Sequence, residues 1–296
     1  MSTADKLAAH IVMTIWGLNF LVIKLGVTDT PPLLLGALRF AFVAFPAILF
    51  VKRPEVPLRS LVAYALTISF GQFAFLFSAI DAGMPAGLAS VVLQVQAFIS
   101  PIIAAVVFGE RLRRQTIVGL SIAFAGLLIL TLASKGNSSV TLIGFVLTIC
   151  AATSWAVGNI LSKQFKDPNF MGLVVWSALI PIAPFLAMSA MIDGFEKMYF
   201  ALAQVSMTSI GVVGYLSYAA SIVGYGVWTR LISRYPVQLV APLTLLIPII
   251  GIIAAWIVLD EALSPAQAFG CAVIMAGLLV NMFGARLWTP KAAPKP

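Results

Sequence analysis

The sequence predicts an all-α membrane protein, with ten transmembrane helices arranged as two inverted five-helix repeats. Three observations carry that prediction. Of the 296 residues, 61% are hydrophobic and only 9% charged, with mean hydropathy +1.06, whereas a soluble domain has roughly 25% charged residues. Apolar runs of about 17–25 residues, long enough to cross a bilayer, recur along the whole chain. Finally, the segment "TIWGLNFLVIK" (14–24) is echoed by "TSWAVGNILSK" (153–163), with Trp, Asn and Lys in the same order. The runs are continuously apolar, which favours helices over barrel strands, whose residues alternate. The longest connector, Asp193–Ser206, leaves no room for a soluble domain.

The first helix, Lys6–Lys24, opens like a signal peptide. It lacks a clear small-residue cleavage site and contains Trp16 and Asn19, so it is read as a retained span. Trp16, Asn19, Phe20 and Ile23 fall at i, i+3, i+4 and i+7 and share one face. An amide in hydrocarbon is costly unless hydrogen-bonded. Asn19 therefore either meets a polar solute or bridges neighbouring helices. His10, the only histidine, is an interfacial residue or a proton relay. The second helix, Pro32–Val51, carries Arg39, the one charge clearly within a span. Such a charge needs a partner: a substrate carboxylate, Asp29, Asp81, or water reached by snorkelling.

The third helix, Leu58–Ile80, holds Gln72 among Phe73, Phe75 and Phe77. The fourth, Ala86–Phe108, holds Gln94 and Gln96, which point in different directions, and Gln94 is favoured to face a central cavity. In the fifth, Gln115–Ala133, Gly119 and Gly126 lie seven apart on one face, which suits close helix packing. The sixth, Thr141–Ser162, sets Trp155, Asn159 and Ser162 at i, i+4 and i+7. The seventh, Phe170–Ile192, contributes Trp176, and the eighth, Met207–Ile232, contributes Tyr225 and Trp228. An aromatic wall with a few convergent polar groups is the usual make-up of a small-molecule pocket. The ninth helix is Val237–Leu259. The tenth, Pro265–Leu287, repeats the glycine pair as Gly270 and Gly277. Cys150 and Cys271 fall within helices and are read as small packing residues.

The echo extends beyond the opening segment. Glu110 matches Glu261 at an offset of 151, as do Tyr64 and Tyr215, Pro85 and Pro236, Gly119 and Gly270, and Gly126 and Gly277; Trp16 and Trp155 are 139 apart. The halves are 1–134 and 135–296. Five helices per half is an odd number, so the second half starts on the opposite face and is inverted. Such repeats place a transported solute near the midplane, at their interface. Glu110 and Glu261 are read as capping or closing the loop before the next helix, with a gating role as the alternative.

Charge gives the orientation. One face holds Lys6; Lys52, Arg53 and Arg59; Arg111, Arg113 and Arg114; Lys163 and Lys166; Arg230 and Arg234; and Arg286, Lys291 and Lys295. The other holds Lys24, Lys135 and Lys197. This is the positive-inside pattern, with both termini cytoplasmic, and it explains the net charge of +8 without nucleic acid. The Asn137-Ser138-Ser139 sequon falls on the outer face and carries little weight. There is no G-x-x-x-x-G-K-[ST] loop for ATP hydrolysis. One histidine excludes a His-x-x-x-His metal site, and no Ser–His pair converges for proteolysis. Neither a cofactor nor an ATPase subunit is implied.

The segments "WGLNFLVIKLGV", "PPLLLGALRFAFVAFPAILF", "LTISFGQFAFLFSAIDAGMPAGLASVVLQVQAF", "FGERL", "VWSALIPIAPF" and "VGYGVW…RY…VAPLTLLIPIIG" together resemble the EamA family of the drug/metabolite transporter superfamily. Within it the likeness is greatest to exporters of O-acetylserine and cysteine. The resemblance covers nearly the whole chain. It implies a secondary transporter, not an enzyme, in a bacterial inner membrane. The early helices of each half would line a central cavity that takes an amino-acid-like solute. The candidate substrate-binding residues are Trp16, Asn19, Arg39, Gln72, Phe75, Gln94, Trp155, Asn159, Trp176, Tyr225 and Trp228. One departure is Ala97, where halves of the superfamily commonly carry the proline that Pro248 supplies thirteen residues before Glu261; Pro101 is the alternative bend. An exporter of aromatic or other amino acids or drug-like metabolites, a channel and an intramembrane enzyme are the competing readings.

Overall fold

The computed structural model describes residues 1–134, 141–165 and 169–284, and among these there is no strand. Ten helices among the described residues are long and apolar enough to cross a membrane: α1 Thr3–Asp29, α2 Pro32–Leu49, α3 Leu58–Asp81, α4 Ala86–Phe108, α5 Arg114–Ala133, α6 Leu142–Ser162, α7 Phe170–Ile192, α8 Met207–Arg234, α9 Ala241–Leu259 and α10 Pro265–Phe283. The chain is an all-α, multi-pass membrane protein, as composition and run length require. Lys135, Lys166, Arg286, Lys291, Lys295 and the Asn137 sequon lie outside the described residues.

Helix ends differ from the sequence reading for local reasons. α1 starts earlier because the Ser2 hydroxyl caps it, accepting the Asp5 N–H at 3.1 Å. It runs on to Asp29 and stops before Pro31, since the residue preceding a proline is pushed into extended backbone. In α2 the regular part ends at Ala44, and Pro46 leaves only a 3₁₀ turn over Ala47–Leu49. A separate turn, Val237–Val240, precedes α9, which begins as a 3₁₀ segment, Ala241–Leu245, containing Pro242. The Asp193–Ser206 connector is more than a loop, since it holds a short helix, Phe195–Ala203. Its Phe195 and Tyr199 are exposed, as suits aromatic side chains at a membrane–water interface.

Irregular turns recur at the repeat offset. α3 contains a π-helical segment at Ala65–Gly71, and a shift of 151 carries it inside the π-helical segment Tyr215–Val223 of α8. α4 contains a 3₁₀ turn at Leu93–Val95, matched by the opening of α9. Such interruptions loosen the backbone where α3, α4, α8 and α9 converge on the centre of the molecule.

The tightest helix pair is α5 with α10. A Cβ on Gly119 would lie 2.6 Å from the Gly277 carbonyl oxygen, and one on Gly126 would lie 2.9 Å from that of Gly270. The paired glycines therefore set the approach of the two backbones, the packing expected of small residues in lipid. Cys271, on α10, is buried and free. At one end of the bundle, Asp5 of α1 accepts a hydrogen bond from Tyr235 Oη at 2.8 Å. Asp5 also faces Arg230 and Arg234 of α8 at 3.6 and 3.8 Å.

Candidate functional site

A narrow central cavity of about 70 Å³ lies among seven helices. Its walls are Trp16, Asn19 and Phe20 of α1, Arg39 of α2, Phe73 and Leu76 of α3, Leu93 and Gln94 of α4, Trp155 of α6, Ala220 and Tyr225 of α8, and Ile247 of α9. Arg39 is the only charged residue among these walls.

Local structure fixes each polar group. Arg39 sits mid-helix on α2 and is 2% exposed. Its Nη2 donates to Ser221 Oγ at 3.0 Å, and its guanidinium carbon lies 3.9 Å from the Phe73 ring centroid. Ser217 Oγ, one turn before Ser221 on α8, donates to the Arg39 carbonyl at 3.0 Å, so two serines hold the arginine's turn in place. Arg39 Nε and Nη1 are buried without a hydrogen-bond partner among the described residues. The carboxylates considered as its partners are engaged elsewhere. Asp29 accepts from Ser206 Oγ at 3.2 Å, and Asp81 shares a peripheral depression with Asp29, Asp193 and Lys197.

Asn19 shares the cavity with Arg39, and its Oδ1 is likewise buried and unpaired. Trp16 is pinned by its indole N–H, which donates to the Ala220 carbonyl at 3.0 Å. Its ring meets those of Tyr225 and Trp228 at 5.5 Å. Gly224 permits that contact, since a Cβ there would lie 2.6 Å from Trp16 Nε1. Tyr215 Oη donates to the Ile15 carbonyl at 2.7 Å and fastens α8 to α1 one turn away. Gln94 Nε2 reaches the Thr244 carbonyl at 3.4 Å, bridging α4 to the start of α9.

Six of the sequence candidates thus meet around one cavity: Trp16, Asn19, Arg39, Gln94, Trp155 and Tyr225. The other five do not line it. Trp228 backs Trp16. Gln72 is buried with Oε1 unpaired. Phe75 is 38% exposed on the outer surface of α3. Trp176 donates to the Val51 carbonyl at 2.9 Å. Asn159 donates to Gln96 Oε1 at 3.2 Å in a separate vestibule. Gln94 and Gln96 do point apart, one to the cavity and one to the vestibule. Sequence reasoning missed Ser217 and Ser221. Their four-residue spacing on one helix face was the available signal. Glu261 does not cap its own connector. Its Oε2 accepts the Gly87 N–H of α4, 174 residues away, at 3.2 Å.

Comparison with known proteins is consistent with this architecture. The model of the EamA-like transporter family matches residues 6–132 and 142–283. A "Probable amino-acid metabolite efflux pump" of Escherichia coli (strain K12) is 50% identical over 290 residues, covering 97% of each chain. A protein of the same description from Salmonella typhimurium is 50% identical over 291 residues, again with 97% of each chain covered. The "Uncharacterized inner membrane transporter YedA" of Escherichia coli (strain K12) is 26% identical, covering 95% of this chain and 92% of its own. A solved crystal structure shares the fold at a TM-score of 0.67, with 22% identity, over 99% of this chain and 100% of that one.

Proposed function

The chain belongs to the EamA-like transporter family, and on that premise we propose that it exports small, carboxylate-bearing metabolites of amino-acid pathways by alternating access. Cysteine and O-acetylserine are the proposed substrates. The observation that carries this reading is Arg39: a guanidinium in the cavity wall, buried, with two N–H-bearing nitrogens unpaired. A buried charge is stable only when paired, and no side chain in the wall supplies the opposite charge. A substrate carboxylate does so, with charge-assisted hydrogen bonds to Nε and Nη1.

The remaining groups suit the other end of a zwitterion. Asn19 Oδ1 offers an acceptor to an ammonium, and the faces of Trp16 and Tyr225 offer cation–π contact. Gln94 and the Trp155 indole complete the polar surroundings. Together they replace part of the hydration that a zwitterion loses on entering. The two halves would act as inverted repeats that rock about this cavity, with both termini cytoplasmic and the chain in a bacterial inner membrane. The names of the relatives support the export direction and the membrane.

The five aromatic rings of the wall, Trp16, Phe20, Phe73, Trp155 and Tyr225, favour a second reading in which the solute is an aromatic amino acid. Flux in proteoliposomes decides between them. Radiolabelled cysteine and O-acetylserine are expected to move saturably and to exchange against unlabelled solute, with and without a pH gradient. Phenylalanine outcompeting both would favour the second reading. Conductance without exchange would indicate a channel and end the carrier reading.

A further inference from the structure

We propose that Glu110 and Glu261 are alternating latches on two equivalent seams between α4 and α9, with the Glu261 latch fastened in this structure and the Glu110 latch released. The inference rests on the alternating-access reading. At the Glu261 end the seam is closed. Glu261 Oε2 accepts the Gly87 N–H, a donor that the first turn of α4 leaves without an intrahelical partner. A Cβ on Gly87 would lie 3.3 Å from Ala255 Cβ and 3.3 Å from Ile252 Cα. One turn on, Ser90 Oγ lies 3.4 Å from the Pro248 carbonyl oxygen and 2.6 Å from where a Gly251 Cβ would be.

The repeat offset of 151 defines a second copy of this seam. It carries Gly87 and Ser90 to Gln238 and Ala241 at the start of α9. In the other direction, Pro248, Gly251, Ile252 and Glu261 correspond to Ala97, Ser100, Pro101 and Glu110. Were the second seam closed, Ala97, Ser100 and Pro101 would lie under the start of α9. Instead they line a vestibule of about 450 Å³ together with Glu110, Arg113 and Lys163, and Glu110 is exposed. One molecule therefore shows equivalent sequences in two arrangements, zipped at one end and open at the other.

The difference has a steric cause. Gly87 and Gly251 let the closed seam approach to contact distance, whereas their counterparts Gln238 and Ser100 carry side chains. The Glu110 seam closes less tightly and is the one found open. In the opposite state Glu110 accepts the Gln238 backbone N–H, and the Glu261–Gly87 bond is broken. The two glutamates are positioning residues that hold α4 and α9 and do not touch the cargo.

The test uses the full chain with Cys150→Ser and Cys271→Ala. A Ser100→Cys/Ala241→Cys pair is expected to form a disulfide on oxidation, because the opposite state brings these positions within the Cβ separation of about 3.5–4.5 Å that the bond needs. Export should stop and return on reduction. A Gly87→Cys/Ala255→Cys pair, already adjacent, is the positive control. Ser100→Cys alone should react with a water-soluble maleimide. Glu261→Ala should slow that labelling several-fold by shifting molecules to the opposite state, and Glu261→Gln, which keeps an acceptor oxygen, should slow it less. Glu110→Ala should not slow it. If the control pair bonds while the Ser100/Ala241 pair does not, or if labelling is indifferent to Glu261, the latch proposal is wrong. Both readouts are independent of substrate, so a disulfide that forms in a protein unable to carry cysteine would count against the substrate reading alone.

Discussion

Replacing Arg39 with Met separates a substrate anchor from a structural arginine, because the two readings predict opposite changes in stability. In this structure the guanidinium has one side-chain hydrogen bond, to Ser221, and a cation–π contact with Phe73. Losing a bond to a charged group costs about 1.5–3 kcal/mol, and the desolvated cation–π contact contributes about 2 kcal/mol. Against these stands the burial of an uncompensated ion, a penalty of several kcal/mol even after relaxation. Ser221 keeps its bond to the Leu216 carbonyl at 2.8 Å, and the Ser217 bond is to the residue-39 backbone, so neither serine is orphaned. Methionine fills similar space along the same stem. The net expectation is an unchanged or slightly raised unfolding temperature, measured on detergent-solubilised protein. Transport behaves differently: two charge-assisted bonds to a carboxylate are lost, and a loss of about 3 kcal/mol corresponds to roughly 150-fold in KM at about 1.4 kcal/mol per decade. Arg39→Lys keeps the charge but not the fork, and should fall between the two. A variant that transports with unaltered KM yet melts early would show that Arg39 is structural and refute the reasoning.

Asn19→Ala should raise KM about tenfold, the value of one hydrogen bond to an ammonium, with membrane abundance unchanged. Asn159→Ala should lower transport less, since its amide is bonded to Gln96 outside the central cavity; equal losses in vesicle flux would contradict this placement. Gly119→Val should destabilise the protein by about 1–3 kcal/mol through overpacking, because its Cβ would meet the Gly277 carbonyl oxygen at 2.6 Å; an unaltered melting temperature would count against the α5–α10 contact. Burial raises the pKa of Glu261 above its ordinary value near 4.5, against the opposing Gly87 and Ala86 N–H groups and Lys24. An acid with a raised pKa binds its proton more tightly in the packed arrangement than in water, so that arrangement gains as pH falls through the raised pKa and loses as pH rises. Maleimide labelling of Ser100→Cys should therefore quicken at lower pH, once corrected for thiol ionisation, and lose that dependence in Glu261→Gln; a dependence that persists would exclude this carboxyl.

What the sequence made legible follows from which forces act locally. Bilayer thickness and the cost of bare backbone in lipid set the number and length of the spans, so ten apolar runs sufficed. The paired glycines at seven-residue spacing were readable for the same reason, since little but small residues lets helices approach closely in lipid. The partners of Arg39 were not readable. Ser217 and Ser221 lie about 180 residues away and look like ordinary polar residues of α8. Nor was the destination of Glu261: a loop carboxylate reads as a local cap, and only the fold brings it to an orphan donor of α4.

The echo that first marks the repeat also shows where the halves stop being equivalent. Trp16 and Trp155 both reach the central cavity, yet Asn19 accompanies the first and Asn159 does not accompany the second. The spacing explains it. Asn19 is three residues beyond its tryptophan and Asn159 four beyond, and at 3.6 residues per turn one extra residue rotates a side chain by about 100° around the helix. The second amide is thereby turned out of the cavity and onto Gln96. The charge is equally one-sided, since Arg39 of the first half is the only charged residue in the wall, while the second half contributes Trp155, Ala220, Tyr225 and Ile247. On the proposed alternating-access reading, the two-fold relation holds at the ends of the repeat and is lost at its centre, where a single asymmetric solute would be bound in one orientation.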